Sequence, residues 1–311
     1  MRSLQALRER TVKERFFAIV NPAAGDGRSG KLAGPALARL REAHLGVDVI
    51  ASTGPRHAVA LAREAYQQGY RKFLAVGGDG TAHEILNGVF AADPSPERVA
   101  LGFLPLGTGN SFLRDFSENG EKAALQALLD GRTRACDVLR LTHAHGAVYS
   151  FNLMSIGFPA DVATITNRYF KSFGATGYLL GVFLRVVQLI RRPFPLRCDE
   201  DKDWDDRRCL FFTFSNSKFT GGTMLIAPQA DPCDGFIELV RWGPIGRLGL
   251  VRMLPRLYDG THITHPLASR RSVRRVEFRF PAPVDVLVDG EVFTLDCRSL
   301  DILPAAVDVY I

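Results

Sequence analysis

The hydrophobic and polar positions follow two different rhythms along the chain. Over residues 1–140, short apolar runs at Phe16–Val20, Val47–Ile50, Phe73–Val76 and Val99–Leu104 are followed by turn formers and, in most cases, by stretches of helical spacing. Short runs closed by Gly, Pro or Asn read as buried strands, and apolar residues at i, i+3 and i+4 read as helix faces. Helices are expected at Pro35–His44, with Ala36, Leu37 and Leu40 inward, at Ala58–Gln68, and from Glu84 to Phe90, with Ile85, Leu86 and Val89 at core spacing. Strands alternating with helices predict an α/β domain built on a doubly wound parallel sheet.

After residue 140 the helical spacing fades. Runs at Val148–Met154, Leu210–Phe214, Phe236–Val240, Arg275–Phe280, Val284–Val288 and Ala306–Tyr310 predict a β-rich antiparallel sandwich or barrel. One long helix interrupts it, Tyr178–Arg191, stopped by Pro193, and Asp199–Asp203 reads as a solvated acidic turn between strands. The expected organisation is a first domain over 1–140 and a second over 141–311, with the last strand able to return to the first. Residues 1–15 are expected to form a short helix or a frayed tail.

Composition narrows the class without naming a function. A chain of 311 residues exceeds the usual single-domain size, and 46% hydrophobic with 23% charged residues is ordinary for a globular protein. The five cysteines (Cys136, Cys198, Cys209, Cys233 and Cys297) form no Cys-x-x-Cys pair, so neither zinc nor a disulfide framework is implied and a cytoplasmic location is expected. Met1–Arg15 is charged and lacks the apolar core of a secretory signal. The most apolar long segment, Tyr178–Ile190, contains Arg185 and is too short to span a bilayer. The net charge of +6 suits an anionic partner such as a membrane surface or a nucleotide, and the sign alone does not choose.

The candidate chemistry centres on Val76-Gly77-Gly78-Asp79-Gly80-Thr81 between the third strand and its helix. Glycines remove the Cβ that would keep a backbone from an anion, and successive N–H groups at a helix start favour phosphate oxygens. Asp79 is unusual there, because a carboxylate repels phosphate unless a metal or a proton lies between them. That combination suggests metal-assisted phosphoryl transfer; the alternative is a tight turn with Asp79 as helix cap. No Gly-x-x-x-x-Gly-Lys-Ser/Thr loop occurs, and the glycine spacing does not fit the dinucleotide fingerprint. Asn21-Pro22-Ala23-Ala24-Gly25 follows the first strand, with Arg28 and Lys31 close behind at an expected helix start. Gly107-Thr108-Gly109-Asn110 follows the fourth, so its loop should face the same cleft as Asp79.

Taken together, Gly-Gly-Asp-Gly-Thr-x-x-Glu-x-x-Asn-Gly at 77–88, Asn-Pro-x-x-Gly at 21–25 and Gly-Thr-Gly-Asn at 107–110 resemble the diacylglycerol kinase catalytic-domain family, whose members include sphingosine and ceramide kinases. The shorter Gly-Gly-Asp-Gly is shared with NAD kinases and phosphofructokinases. The resemblance implies ATP bound over Asn21–Gly25, Thr53, Gly77–Thr81, Glu84 and Gly107–Asn110. The family usually continues Asp-Phe-Ala-Arg where this chain has Ser111-Phe112-Leu113-Arg114, so a relay through a carboxylate at 111 is absent.

Three further motifs carry the resemblance towards the chain's end. Asp137 matches a family aspartate, which implies a place in an acid–water–metal network with Asp79; a surface strand charge is the alternative. Pro228-x-Ala230-x-x-x-Asp234-Gly235 resembles a structural Mg²⁺ loop, implying the Asp234 carboxylate and the carbonyls of Asp231 and Phe236 as ligands; an ordinary Asp-Gly turn is the alternative. Asp289-Gly290-Glu291 matches the family's catalytic acids, with Glu291 as base and Asp289 in support; on an extended strand both would share one face. The expectation is an ATP- and Mg²⁺-dependent lipid kinase, peripheral at a membrane surface, with its site in the cleft between domains and no nucleic-acid partner. An exposed sheet edge would give a homodimer a surface on which to form. Arg270–Arg279 or the arginines flanking Tyr178–Arg191 are the basic stretches that would meet anionic lipid. The alternatives are a kinase of a soluble small molecule and an inactive lipid-binding regulator.

Overall fold

The structure is a computed structural model that describes residues 12–118, 120–170 and 174–311. The expectation for the N-terminal stretch therefore falls, up to residue 11, outside the described residues. The chain divides into two compact units, Met1–Asp137 with Ala305–Ile311, and Val138–Pro304.

The first unit alternates β1 (Phe16–Val20), α1 (Arg28–Glu42), β2 (Val47–Ala51), α2 (His57–Gln67), β3 (Lys72–Gly77), α3 (Asp79–Ala92), β4 (Val99–Pro105) and α4 (Gly120–Asp130). Its sheet runs β2-β1-β3-β4 and is completed by Val307–Val309, with every pairing parallel. Phe16, Ala18, Leu37, Leu40, Leu74, Val76, Leu104 and Leu128 are among its core residues. Register places Val20 opposite Val76, and Gly77 opposite Pro105. The loops that leave β1, β3 and β4 therefore start level with one another, which is the condition for them to share a ligand.

Two helices begin ahead of their apolar spacing, the first of them at the helix start expected around Arg28. α1 starts at Arg28 and carries Pro35 inside it. The turn ahead of it is already closed by Gly27 N–H to Ala23, Arg28 N–H to Gly25 and Ser29 N–H to Ala24. Helix propagates from that nucleus, and Pro35 forfeits one backbone bond on an exposed face. α3 starts at Asp79 itself, so the aspartate sits in the first turn, where a carboxylate is favoured. Gly88 sets the approach of α3 to α2, since a Cβ there would lie 2.4 Å from the Val59 carbonyl oxygen.

The second unit is a sandwich with an added helical layer. Its elements are β5 (Thr133–His143, entering from the first unit), β6 (Gly146–Ser150), β7 (Leu153–Gly157), α5 (Phe158–Ile165), α6 (Gly174–Gln188), β8 (Leu196–Cys198), β9 (Phe211–Ser215), β10 (Ile237–Trp242), α7 (Arg247–Met253), β11 (Ala268–Val273), β12 (Arg275–Phe278), β13 (Val284–Val288), β14 (Glu291–Leu295) and β15 (Cys297–Tyr310, returning to the first unit). One sheet is β11-β10-β9-β7-β13-β14, antiparallel throughout. The other joins β8, β12, β15, β5 and β6. Leu139, Met154, Ile156, Phe212, Phe214, Val276, Phe278 and Leu300 lie in the core between them. A second core, with Phe158, Val162, Val186, Phe211, Trp242, Leu250 and Met253, lies between the six-stranded sheet and α5, α6 and α7. Being covered on both faces explains why Phe211–Ser215 is buried at every position and does not alternate. This region is thus more helical than its sequence rhythm implies, and the long helix runs over Gly174–Gln188, ending before Arg191.

Candidate active site

In the first unit the three loop motifs meet at their glycines. A Cβ on Gly107 would sit 2.4 Å from the Gly78 Cα, one on Gly25 would sit 2.4 Å from the Leu106 carbonyl oxygen, and one on Gly77 would lie 2.3 Å from Thr81 Oγ1 and 3.5 Å from the Ala24 Cβ. The Gly107 N–H donates to the Gly77 carbonyl at 2.9 Å, locking the two glycine turns together. Gly25 is also left-handed at φ 61°, so two independent constraints select glycine there. Pro22 lies under α1, with its carbonyl 3.3 Å from where a Gly30 Cβ would be, and Asn21 Oδ1 accepts from the Ala23 N–H at 3.2 Å, shaping the turn.

The acids of this unit hold loops in place. The Asp79 carboxylate accepts from the Ser111 N–H at 2.7 Å and the Phe112 N–H at 3.3 Å, fixing the turn that follows Gly107–Asn110. Position 111 thus serves Asp79 through its backbone, which a serine provides as well as an aspartate. Glu84 accepts from the Arg56 and Ala58 N–H groups, each at 3.0 Å, and caps α2 just after Thr53. His57 starts that helix and holds the Thr53 N–H and hydroxyl at 3.0 Å from its Nδ1. Asn110 is left-handed at φ 50° and donates to the Pro105 and Gly107 carbonyls. Its Oδ1 and the Thr81 hydroxyl oxygen are buried with no partner among the described residues, whereas Thr108 is exposed. Gly80 and Gly109 complete the two turns, and a Cβ on Gly80 would meet nothing within 4 Å. Asp137 is buried and accepts from the Ala305 N–H at 2.7 Å, where the chain re-enters the unit with Ala305 at φ 50°.

In the second unit Asp289 and Gly290 do not continue a strand. With φ 47° and 94° they form the two-residue turn of the β13–β14 hairpin, in which Val288 pairs with Glu291. Asp-Gly is the sequence that such a twisted turn selects, so the two acids do not share one face of an extended strand. Asp289 points into the 150–153 loop. Its Oδ1 accepts from the Ser150 hydroxyl at 2.5 Å and from the Asn152 and Leu153 N–H groups at 3.2 Å, and its Oδ2 from the Phe151 N–H at 3.3 Å. That loop is in turn held by the Asn216 amide on the Phe151 carbonyl at 2.8 Å and the Ser217 hydroxyl on Asn152 Oδ1 at 3.0 Å. Ser150, Asn152, Asn216 and Ser217 are all buried, so the acid rests on a buried polar network. Glu291 is exposed and makes no side-chain hydrogen bond or ion pair with a described residue. Sequence reasoning missed Ser150–Leu153; the sign was Asn216-Ser217-Lys218, a polar run directly after an apolar strand.

The second unit also holds an apolar cavity of about 580 Å³ between the six-stranded sheet and its helices, lined by residues that include Phe158, Phe211, Trp242, Leu250 and Tyr258. Ser155, Thr213 and Thr220 are its few hydroxyls, and a volume of this size falls in the usual range for a small-molecule site. Beside it, His262 is fully buried, with Nε2 3.0 Å from the Ile226 carbonyl oxygen and Nδ1 3.3 Å from that of Arg256. Burial holds its pKa below the ordinary imidazole value.

These features have counterparts in known proteins. Residues 15–141 match the diacylglycerol kinase catalytic domain, and residues 152–311 match the YegS C-terminal NAD kinase beta sandwich-like domain. The chain belongs to the diacylglycerol kinase catalytic-domain family. Within the family, it is 29% identical over 301 residues to a diacylglycerol kinase of Mycobacterium tuberculosis (strain CDC 1551 / Oshkosh), covering 94% of this chain and 93% of the relative. It is 26% identical over 284 residues to a diacylglycerol kinase of Staphylococcus aureus (strain bovine RF122 / ET3-1), covering 90% and 87%. Two solved chains from Bacillus anthracis str. Sterne share the fold. One matches with a TM-score of 0.75 at 19% identity, covering 96% of this chain and 97% of its own. The other, a diacylglycerol kinase, matches with 0.67 at 17%, covering 96% of each.

The Asp231–Phe236 turn is closed by its own side chains. Asp231 Oδ1 accepts from the Cys233 N–H at 3.0 Å, Asp234 Oδ1 accepts from the Phe236 N–H at 2.9 Å, and the Asp234 N–H reaches the Asp231 carbonyl at 3.4 Å. The loop contains an Asp234 carboxylate and backbone carbonyls, oxygen donors of the type that Mg²⁺ prefers. Among the described residues no group of three or more His, Cys, Asp or Glu could hold a metal, so any ion here would depend on backbone oxygens.

Proposed function

We propose that the protein is an ATP-dependent lipid kinase that transfers the γ-phosphate of ATP to a lipid hydroxyl at a membrane surface. The observation that carries this reading is the convergence of three glycine-bearing loops, Asn21–Gly25, Gly77–Thr81 and Gly107–Asn110, at points where a Cβ would collide with neighbouring atoms. Such bare backbone beside a helix N-terminus suits polyphosphate. The buried, unpartnered Thr81 hydroxyl and Asn110 Oδ1 would find their partners on the nucleotide, with Thr53 and Thr108 as further hydroxyl contacts.

Phosphoryl transfer asks a protein chiefly for positioning and charge neutralisation. Bound with ATP, Mg²⁺ would supply neutralisation at the β- and γ-phosphates, and Asp79, fixed by two backbone amides, would hold it through water. Asp137 would contribute to the same network, and the Asp231–Phe236 loop would take a structural ion. Glu291 would accept the proton of the lipid hydroxyl as its oxygen bonds to the γ-phosphorus and ADP departs. Asp289, anchored by four donors, would keep the hairpin that presents Glu291 in place. The apolar cavity of the second unit supports an acyl chain as the group recognised, which favours a lipid acceptor over a soluble one.

Transfer from ATP and Mg²⁺ should be measured in mixed micelles with diacylglycerol, a sphingoid base, ceramide and phosphatidylglycerol, and in detergent-free buffer with NAD. A phosphorylated lipid is the expected product. Transfer to NAD alone would replace this reading with that of a soluble-molecule kinase.

A further inference from the structure

α6 is apolar on two sides. Val186 and Leu189, the residue after its end, join the core above the six-stranded sheet, whereas Leu180, Phe183, Leu184 and Val187, spaced i, i+3, i+4 and i+7, are exposed. Phe183 is 65% exposed. A helix apolar all round normally has a second apolar phase against its other face. α7, which packs on α6, adds exposed Leu248 and Val251, and Tyr258 follows. Val251 and Tyr258 are at once surface residues and lining of the 580 Å³ cavity, so the exposed apolar face is continuous with the opening of that cavity.

The charges carried by the two segments that form this face have one sign. Residues 174–194 and 243–258 contain no Asp or Glu and carry Arg185, Arg191, Arg192, Arg247, Arg252 and Arg256. Arg192 is paired with Asp161. Arg191 and Arg247 donate to the backbone carbonyls of Ile245 and Val187, and neither they nor Arg252 make an ion pair with a described residue. The other basic stretch differs. Arg270 is paired with Glu238, Arg271 with Asp201 and Arg275 with Asp301, while Arg274 and Arg279 lie over Phe236 and Trp204.

We propose that the α6–α7 rim is the surface by which the protein docks on a bilayer containing anionic lipid. Phe183 and Leu248 enter the acyl region, Arg247 and Arg252 meet headgroup phosphates, and the cavity opens towards the chains it has to admit. Apolar insertion combined with basic flanks is the chemistry of an interfacial anchor. The proposal rests on the lipid-kinase reading for its purpose, though not for its test.

The test is co-sedimentation with phosphatidylglycerol/phosphatidylcholine vesicles, beside transfer to a short-chain diacylglycerol below its critical micelle concentration. Phe183→Ser with Leu248→Ser should weaken vesicle binding roughly ten-fold or more. Arg247→Gln and Arg252→Gln should each weaken it about five-fold, less so in high salt. Arg270→Gln with Arg271→Gln should leave it unchanged. Short-chain transfer should persist in all of them. Equal vesicle binding by wild type and rim variants would overturn the proposal, as would a matching loss of short-chain transfer, which would assign these residues to the cavity. Loss of vesicle binding in the rim variants of a protein that phosphorylates no acceptor would uphold the docking surface and reject the kinase reading.

Discussion

Replacing Asp289 by asparagine isolates what its carboxylate does. Asparagine tolerates the left-handed φ of 47° about as well as aspartate, so the turn itself is unchanged. The amide oxygen can still accept from Ser150, Asn152 and Leu153, but the amide nitrogen then faces the Phe151 N–H, donor against donor. One bond to a charged acceptor is lost, about 1.5–3 kcal/mol, and the remaining bonds lose their charge assistance. A total of about 2–4 kcal/mol is expected, and a melting temperature lower by about 5–15 °C for a unit of this size. Asp289→Ala should be worse, because a left-handed alanine adds about 1–2 kcal/mol and removes the acceptor shared by all four donors. Calorimetry of the purified variants reads this directly. An Asp289→Asn protein that melts with wild type would refute the anchoring role, since the network around Asn216 and Ser217 would then stand without its anion.

Other predictions concern the first unit and the buried histidine. Gly107→Ala places a Cβ 2.4 Å from the Gly78 Cα, backbone against backbone, and should lower stability by about 1–3 kcal/mol or more, while Gly80→Ala meets open space in a helix and should be neutral or stabilising by up to about 1 kcal/mol; melting curves that rank them otherwise would mean the two turns do not touch. Burial lowers the His262 pKa in the folded state, so the unfolded chain binds the extra proton first. Stability from this group is present above about pH 6.5 and is lost as pH falls from there through the folded pKa, at up to about 1.4 kcal/mol per pH unit. His262→Asn should flatten that part of the stability–pH curve, and an unchanged slope would assign it to another group.

What was legible in the sequence follows the range of the interactions involved. The strands and loops of the first unit are local events: a buried strand, a glycine turn and a helix start occupy adjacent positions, so Gly77–Thr81 and Gly107–Asn110 announce themselves. Register then brings them level, and nothing further is needed to converge them. The start of α1 at Arg28 was legible in the turn that precedes it, whereas its continuity through Pro35 was not, because a proline inside a helical pattern normally marks a boundary. The support of Asp289 was hidden for a different reason. Ser150, Asn216 and Asp289 are far apart along the chain and meet only through strand pairing, so each looks like an ordinary loop residue by itself. The helical layer above the six-stranded sheet was under-read because strands buried on both faces and the helices that cover them are alike in apolar content, and short helices such as Arg247–Met253 show too few turns to display a period.

The central claim, a lipid kinase with Glu291 as its base, meets its most direct test in one paired measurement: labelled γ-phosphate transfer to lipid in mixed micelles by wild type and Glu291→Gln, with melting temperature recorded for both. Glu291 is exposed and has no side-chain partner among the described residues, so its loss should move stability by no more than about 0.5 kcal/mol. Transfer should nevertheless fall roughly 10²–10⁴-fold. A labelled lipid from wild type that all but disappears in an equally stable Glu291→Gln protein is the predicted result; undiminished transfer by the variant, or no labelled lipid from wild type with any acceptor, would contradict the account.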